Sequence, residues 1–239
     1  MLGLWPLLVS CEQESKALKK RTFSKRGETR SALVAAGHRI FSKFPVDAVS
    51  IDDIVLEAGV SKGSFYNHFQ EKSDVLHAVR DEIREKIMAR VNEVNDCVED
   101  PAVRVARALS VYFRFVIDEP QYVSIVLQLD AHNSNSITTH VNRGTFADAR
   151  AGVSQGRFTI PSAQSAAAFI VGAGYAGMVN MINDQNVSSV TSLGRHLIMM
   201  VLRGLGIETE EASSISAVAI EQIVRGKSNR EQNNTADSR

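Results

Sequence analysis

A short polar run at residues 62–68, KGSFYNH, carries side chains that could recognise the edges of DNA bases. A lysine can donate hydrogen bonds to guanine, and an asparagine can form two hydrogen bonds with adenine. Lys62, Ser64 and Asn67 are therefore the candidates for contacts with bases. Such contacts require that the run lie on an exposed helix whose N-terminal end enters the major groove.

The stretch that must position these side chains, residues 50–69, predicts two short helices joined by a turn. Ser50 can cap the first helix, and Asp53 three residues later can complete a capping box. Gly59 follows this helix where a left-handed residue is favoured, and Ser61 is placed to cap the second helix. Two helices of about two turns across a glycine turn predict a helix-turn-helix.

The second helix of this unit is predicted to span residues 62–68. Its apolar side chains, Phe65 and Phe69, should be buried. Its polar side chains should be exposed, namely Tyr66, Asn67 and His68. A unit of this size cannot bury a core of its own, so the helices before and after it must support it.

The run AGVSKGSFYNHF, followed by Lys72 and Leu76, resembles the signature of the TetR/AcrR family of bacterial transcription regulators. The resemblance covers residues 26–76, and the remainder fits the family in helix order and length. It implies that four side chains contact phosphates: Ser61, Tyr66, His68 and Lys72. Tyr66 and His68 could instead pack against the first helix of the domain, predicted from Arg26 to Phe44. The complete set that we expect to contact DNA is Ser50, Ser61, Lys62, Gly63, Ser64, Tyr66, Asn67, His68 and Lys72.

The resemblance implies a sequence-specific transcription regulator that binds double-stranded DNA in the cytoplasm. One such unit contacts only a few base pairs, so we expect a homodimer on a palindromic operator. The resemblance favours a ligand-responsive repressor, in which a small-molecule effector favours a conformation that cannot bind DNA. An activator or dual regulator of the same family, and a helical protein-binding module without DNA activity, remain alternatives.

Apolar residues recur at helical spacing along most of the chain and no strand pattern is visible, which predicts an all-α fold. We expect a three-helix N-terminal helix-turn-helix domain followed by a helical bundle for dimerisation and ligand sensing. The predicted segments are a partly basic flexible extension at 1–25, the DNA-binding domain at 26–72, the regulatory domain at 73–225 and a disordered tail at 226–239.

Prolines and glycines delimit the other helices. The first is predicted from Arg26 to Phe44, with Phe44 on its apolar stripe and Pro45 as its stop. A helix of about 25 residues then runs from Lys72 to the vicinity of Cys97, and Asp100-Pro101 marks the start of the next helix. The later helices are predicted at 101–118, around 122–129, 137–155, 161–182, 187–205 and 208–225, with a polar loop at 132–136.

The helix predicted at 161–182 contains three glycines, Gly172, Gly174 and Gly177. Each costs about 1 kcal/mol relative to alanine in a helix interior. We expect close helix contact to offset this cost, along a line formed by Ala166, Ala173 and Gly177. This helix and the one at 187–205 resemble, in order, the pair that forms the family's dimer interface. A membrane span is the competing interpretation, but the run is only mildly apolar and no membrane partner is expected.

Aromatic residues in the C-terminal half could line a pocket for the small-molecule effector that the resemblance implies. The candidates are Tyr112, Phe113, Tyr122, Phe146, Phe169 and Tyr175. A helical bundle of this size also needs aromatic side chains in its core, so ordinary packing is the alternative for each of them.

Charge and composition argue against other classes of function. The chain has 27 basic and 27 acidic residues, so affinity for DNA must come from local clustering, such as the basic residues at 16–30. That segment is either a solvated tail or an arm that reaches DNA. Two cysteines form no metal-ligand cluster, and the scattered histidines, His132, His140 and His196, lack metal-ligand spacing. We therefore expect no enzyme, no cofactor and no metal site.

The first eleven residues, MLGLWPLLVSC, combine an apolar run with a sequence that resembles a lipoprotein cleavage box. The run has no positive charge before it and is broken by Pro6, which is untypical of an export signal. We expect a disordered extension, or a start codon placed too far upstream.

Overall fold

Every regular element in the part of the chain that the computed structural model describes, residues 25–132 and 143–226, is a helix. The predicted all-α fold class is confirmed. Several predictions fall outside the described residues: the extension before Lys25 with most of its basic cluster, the loop at 133–136, His140, the first residues of the helix predicted at 137–155, and the tail after Gly226. The chain divides into two compact units between His77 and Ala78.

The N-terminal unit contains three helices and the start of a fourth. They are α1 (Lys25–Phe41), α2 (Ile51–Ala58), α3 (Lys62–Tyr66) and α4 (Lys72–Val94), with a 3-10 turn at Val46–Ala48. The core of this unit includes the buried side chains of Leu33, Phe41, Ile54, Phe65 and Val75. Burying a large apolar side chain contributes about 2 kcal/mol, so each of these residues contributes substantially to the stability of so small a unit.

The end of α1 differs from the prediction. The helix stops at Phe41 and the chain turns, because the backbone N–H groups of Lys43 and Phe44 both donate to the carbonyl of Ile40. Phe44, predicted on the apolar stripe, is 56% exposed. Pro45 disfavours helical backbone at the residue before it, and Phe44 is therefore outside the helical register.

The C-terminal unit contains the rest of α4 and, among the described residues, six further helices. These are α5 (Pro101–Asp118), α6 (Pro120–His132), α7 (Arg143–Ser154), α8 (Ala163–Met181), α9 (Val187–Gly204) and α10 (Thr209–Ile220), followed by a π-helical turn at Glu221–Arg225. α5 begins at Asp100-Pro101 as predicted, and Asp100 caps it by accepting a hydrogen bond from the N–H of Ala102. α8 begins later than predicted because its cap is Ser162, which accepts from the N–H of Ser165.

Arginines of α5 cap the C-terminal end of α4. Arg107 donates to the carbonyl of Val94 at 2.7 Å, and Arg104 donates to the carbonyl of Asn95 at 3.2 Å. Cationic donors are favourable at this end because the helix dipole places partial negative charge there. The helix therefore ends before Cys97, the predicted limit, which adopts left-handed backbone with φ 56°.

Phe113 of α5 packs between two glycines, and its side chain is fully buried. A Cβ atom at Gly177 of α8 would lie 2.7 Å from the ring atom Cε1 of Phe113, and a Cβ at Gly194 of α9 would lie 2.9 Å from Cδ2. Both distances are shorter than a normal carbon–carbon contact. Glycine at these two positions therefore allows α8 and α9 to approach α5 closely.

The line of close contact along α8 is shifted from the predicted one. Ala166 and Gly177 are buried, but Ala173 is only half-buried, and Gly174 instead faces Leu109. An α-helix turns by about 100° per residue, so the buried residues of α8 cover a sector of about 120° that begins at Ala166 and is centred near Met181. Position 174 lies about 20° from that centre, whereas position 173 lies about 80° from it, beyond the edge of the buried sector. A Cβ at Gly172 would meet no atom within 4 Å, so contacts within one chain do not explain that glycine.

The competing interpretation of α8 as a membrane span finds no support. Among the residues that the structure describes, no helix combines the length and the apolar character that crossing a bilayer requires. One face of α8 instead buries Ala166, Ile170 and Met181 within the C-terminal unit.

An ion-pair cluster joins three elements of the C-terminal unit. The guanidinium of Arg157, in the loop after α7, lies 2.9 Å from Asp100 at the start of α5 and 2.6 Å from Glu211 in α10. The hydrogen bonds from Arg157 hold the pKa of Glu211 below its usual range. Burial alone would raise the pKa of Asp100, but hydrogen bonds from Arg157 and from the backbone of α5 lower it.

Candidate nucleic-acid interface

The start of α2 is fixed by the capping box that the sequence predicts. The hydroxyl oxygen of Ser50 accepts a hydrogen bond from the N–H of Asp53 at 3.2 Å, and the Asp53 carboxylate accepts one from the N–H of Ser50 at 2.9 Å. Hydrogen bonds from Ser50 hold the pKa of Asp53 below its usual range. The Ser50 hydroxyl also donates to the same carboxylate, so a DNA phosphate would have to compete with Asp53 for this donor.

The turn between α2 and α3 has the predicted conformation. Gly59 adopts left-handed backbone with φ 66°, and its N–H donates to the carbonyl of Leu56. A Cβ at Gly59 would meet no atom within 4 Å, so the requirement for glycine is conformational and not steric. Ser61 then caps α3 by accepting a hydrogen bond from the N–H of Ser64 at 3.1 Å.

α3 is shorter than predicted. It ends at Tyr66, with Asn67 as its C-cap, whereas the sequence predicts a helix to His68. The N–H of His68 donates to the carbonyl of Phe65, three residues back, which tightens the last turn. The carboxylate of Asp74 then accepts hydrogen bonds from the N–H groups ahead of α4, so the chain must leave α3 early enough to enter that cap.

Two buried phenylalanines set the orientation of α3. Phe65 is fully buried and Phe69 nearly so, with their ring centroids 5.9 Å apart. The guanidinium of Arg30 lies 5.4 Å from the Phe69 ring centroid, a cation–π contact with α1. Tyr66, 54% exposed, meets the edge of Phe65 in a T-shaped contact. The opposite, polar side of α3 therefore faces solvent, as the sequence predicts.

The predicted base contacts lie together on this solvent-facing side but differ in their surroundings. Lys62 and Asn67 are exposed, and Ser64 is half-buried with its hydroxyl 2.9 Å from that of Ser61. The ammonium of Lys62 lies 2.8 Å from the carboxylate of Asp52, and the hydrogen bond to Asp52 raises the pKa of Lys62. Gly63 is exposed.

Two predicted phosphate contacts are less accessible than the sequence implies. His68 is half-buried, whereas the sequence predicts exposure. The ammonium of Lys72 donates to the carbonyls of Val46 at 2.9 Å and Val49 at 2.8 Å, which ties the 3-10 turn to the start of α4. The third N–H donor of the ammonium faces the carbonyl of Asp47 at 3.5 Å, so a phosphate would have to compete with this longer contact.

Neither the Asp52–Lys62 ion pair nor the set of carbonyl contacts of Lys72 is among the features predicted from the sequence. The first has a sequence signal, since opposite charges stand at the beginning of each helix of a predicted hairpin. The second has none, because backbone carbonyls are present in every loop and only the fold selects which of them a lysine meets.

The six aromatic residues predicted to line an effector pocket occupy different environments. Phe113 is in the core between its two glycines, Phe169 and Phe146 are exposed, and the three tyrosines are half-buried. A cleft of about 310 Å³ in the C-terminal unit has none of the six in its wall. Its lining residues are Lys86, Ala89, Arg90, Glu93, Val111, Arg114, Phe115, Asp118, Glu119 and Ile223.

Comparison with known proteins follows the same division into two parts. Residues 33–79 match the model of the bacterial regulatory proteins of the tetR family, and residues 100–218 match the tetracyclin repressor-like C-terminal domain. A helix-turn-helix near the N-terminus followed by a helical C-terminal domain defines this class of regulatory protein. The chain belongs to the TetR family.

Individual relatives match over part of the chain. The regulator TtgR of Pseudomonas putida is 32% identical over 101 residues, which are 41% of this chain and 48% of that protein. The repressor BepR of Brucella suis is 32% identical over 60 residues, 25% of this chain and 29% of its own length. The matches thus span about half or less of these curated relatives.

Solved structures share the fold over most of the chain. The structure of RolR in complex with resorcinol has a TM-score of 0.64 and 24% identity, and covers 81% of this chain and 95% of that one. A TetR-family regulator from Pectobacterium atrosepticum has a TM-score of 0.61 and 23% identity, and covers 79% of this chain and 99% of that one. At this identity the likeness concerns the fold.

Proposed function

We propose that this chain is a homodimeric, ligand-responsive transcriptional repressor that recognises a palindromic operator in double-stranded DNA. The observation that carries the proposal is the polar face of α3, which is exposed while Phe65 and Phe69 anchor the other face. Lys62, Ser64 and Asn67 contact bases from this face. This is the arrangement in which the second helix of a helix-turn-helix enters the major groove.

Contacts with phosphates surround the base contacts and fix the register of the protein on the duplex. Ser61, Tyr66, His68 and Lys72 supply them, with Ser50 at the start of α2 and the backbone of Gly63 nearby. Lys72 is well suited to this role because its carbonyl contacts hold the ammonium in one place. An ordered side chain loses less conformational entropy on binding than a free one.

Homodimerisation through α8 and α9 is supported by their outward faces. On α8 the exposed or open positions 169, 172, 176 and 179 recur every three or four residues and include Phe169, Gly172 and Val179. On α9, Leu193 and Met200 are exposed, the latter by 62%. Apolar side chains on neighbouring helices gain about 25 cal/mol for each Å² that a partner covers. A second copy of the chain packed here also gives the otherwise unexplained Gly172 a close neighbour.

A small-molecule effector acts on the C-terminal unit in this proposal. RolR and SmeT, whose structures share the fold, were solved as complexes with resorcinol and triclosan. An effector that binds one conformation of the dimer more tightly shifts the population towards it. Because the two half-sites of a palindrome lie about 34 Å apart, a small change in the separation of the two α3 helices is enough to release DNA. The protein acts in the cytoplasm, where the DNA lies.

The direction of regulation rests on the names of the relatives. BepR and DhaR are named as repressors, and they favour repression by occlusion of a promoter. FasR of Mycolicibacterium smegmatis, 25% identical over 120 residues, is named as an activator, and activation is therefore the second candidate. A reporter gene with the operator placed over or upstream of the promoter separates the two outcomes by the sign of the change in expression.

Two measurements on the purified protein test the proposal. Light scattering should give twice the mass of one chain at micromolar concentration, and a stable monomer would contradict dimerisation. Affinity for duplex DNA should fall linearly on a log–log plot against salt, with a slope of about −0.9 for each phosphate contacted. An absence of DNA binding, with capture of protein partners that is insensitive to salt, would favour a helical protein-binding module instead.

A further inference from the structure

Asp52 and Lys62 form an ion pair on the part of the N-terminal unit that carries the proposed base contacts. Asp52 lies in the first turn of α2, and Lys62 is the first residue of α3. The Nζ and Oδ1 atoms are 2.8 Å apart, and the side chains are 52% and 70% exposed for Lys62 and Asp52 respectively. Exposed pairs contribute little to folding because water screens the charges and both side chains lose rotamer freedom. Stability of the fold therefore does not explain the pair.

The pair changes what Lys62 can do near DNA. A lysine without a partner is a general phosphate contact, since its ammonium attracts any anion within reach. With Asp52 attached, the ammonium carries a neighbouring negative charge that repels phosphate oxygens. A guanine edge offers the neutral acceptors O6 and N7, which the carboxylate repels far less. Because an ammonium has three N–H donors, Lys62 can keep Asp52 and donate to guanine at the same time.

We propose that Asp52 is a specificity determinant of the DNA interface, which holds Lys62 for a base acceptor and withholds it from phosphates. The inference rests on the proposed DNA-binding function and adds a negatively charged residue to the set of DNA-recognition residues. Asp52 is a positioning residue, because it acts through Lys62 and does not itself contact a base.

A second ion pair in the same unit provides the matched control. Arg39 of α1 pairs with the carboxylate of Glu57 in α2 and also donates to the backbone carbonyl of Glu57 at 3.2 Å. This pair joins two helices and does not involve Lys62. Glu57→Gln removes one negative charge from the same unit, just as Asp52→Asn does, so the two variants share the change in net charge and differ in the basic residue that they release.

The experiment measures binding to two duplexes by fluorescence anisotropy. The proteins compared are the wild type, Asp52→Asn, Asp52→Glu, Lys62→Ala, the double variant Asp52→Asn/Lys62→Ala and the control Glu57→Gln. One duplex is enriched by the wild type from a randomised pool, and the other has the same bases in scrambled order. Asp52→Asn should bind the scrambled duplex about 3- to 10-fold more tightly and the enriched duplex less than about 2-fold more tightly. The specificity ratio then falls by several-fold, whereas Asp52→Glu should preserve it.

The Lys62→Ala background shows whether Asp52 acts through the lysine. There, Asp52→Asn should change both duplexes by the same factor and leave the ratio unchanged. If the wild type prefers the enriched duplex, any of three results would overturn the inference. Asp52→Asn could raise the affinity for the two duplexes equally when Lys62 is present, or it could lower the specificity ratio by the same factor when Lys62 is absent. Glu57→Gln could also lower the specificity ratio as much as Asp52→Asn does. A wild type without that preference would remove the proposed function itself, and the inference with it.

Discussion

Substituting Gly177 and Phe113, singly and together, tests the packing of α8 against α5. Gly177→Ala gains about 1 kcal/mol of helix propensity, but the new Cβ would lie 2.7 Å from Phe113 Cε1 and 2.9 Å from Leu197 Cδ1. Phe113 cannot move aside, because it is fully buried and also abuts Gly194. Overpacking costs about 1–3 kcal/mol, so the net effect should be a loss of about 0–2 kcal/mol.

The double variant should show strong coupling. Phe113→Leu alone leaves a gap and should cost about 1–3 kcal/mol. In combination with Gly177→Ala, the smaller leucine accommodates the new methyl group, and the methyl group fills part of the gap. The double variant should therefore be more stable than the sum of the single losses predicts, by about 1–2 kcal/mol.

Urea unfolding followed by circular dichroism, at one protein concentration because a dimer is expected, measures these free energies. Phe158→Leu is the control, since Phe158 is a buried phenylalanine that packs against a different glycine, Gly152. When Phe158→Leu is combined with Gly177→Ala, the loss in free energy of unfolding should equal the sum of the two single losses. The reasoning is refuted if Gly177→Ala alone stabilises the protein by the full helix-propensity gain, or if the Phe113 pair is as additive as the control pair.

Three further predictions concern DNA contacts and pH. Asn67→Ala should lose about 1–3 kcal/mol of preference at one operator position, and equal losses at every position in a panel of single-base operator variants would show a different role. Lys72→Ala should weaken binding to all duplexes alike. It should also lower the melting temperature, because the carbonyls of the 3-10 turn lose their hydrogen-bond donor, and an unchanged melting temperature would contradict this stabilising role. Since the pKa values of Asp100 and Glu211 are lowered, their contribution to stability is present above the ordinary carboxyl pKa of about 4 and is lost as pH falls through the lower folded values. Arg157→Met should lower the free energy of unfolding by about 1–2 kcal/mol at pH 7 and make the loss of stability at acid pH less steep. An unchanged dependence of stability on acid pH would argue against the cluster.

The helix caps and the glycine turn could be predicted from sequence because they are local. Ser50, Asp53 and Ser61 satisfy backbone groups three residues away, and Gly59 needs only its own left-handed conformation. No distant part of the chain takes part in these choices. The same holds for Asp100 at the start of α5, where the cap and the following proline are adjacent.

The errors arose where distant residues decide. The end of α3 depends on the cap of α4, since the carboxylate of Asp74 accepts hydrogen bonds from the two backbone N–H groups that follow Phe69. The close contact along α8 follows positions 174 and 177 because Leu109 and Phe113 of α5 lie opposite them. Ala173 and Gly174 are both small, and the spacing of apolar residues alone does not show which of them faces α5.

The candidate site shows the same division between local and distant information. The exposure of Tyr66 and Asn67 could be predicted, because Phe65 and Phe69 define the buried side, but the half-burial of His68 could not. The opposite charges of Asp52 and Lys62 at the starts of two consecutive helices give a sequence signal for their ion pair. The carbonyl partners of Lys72 could not be predicted, since Val46 and Val49 meet it only in the folded unit. In the proposed function, those partners decide whether a lysine contacts phosphates or a base.

Selection of duplexes from a randomised pool by the purified protein shows whether α3 recognises DNA sequence. We expect a palindrome whose half-sites lie about one helical turn, or a whole number of turns, apart. Asn67→Ala should relax the same position in both half-sites. Recovery of no common sequence, or of a motif that is identical when Lys62, Ser64 and Asn67 are all replaced by alanine, would show that α3 does not recognise DNA sequence.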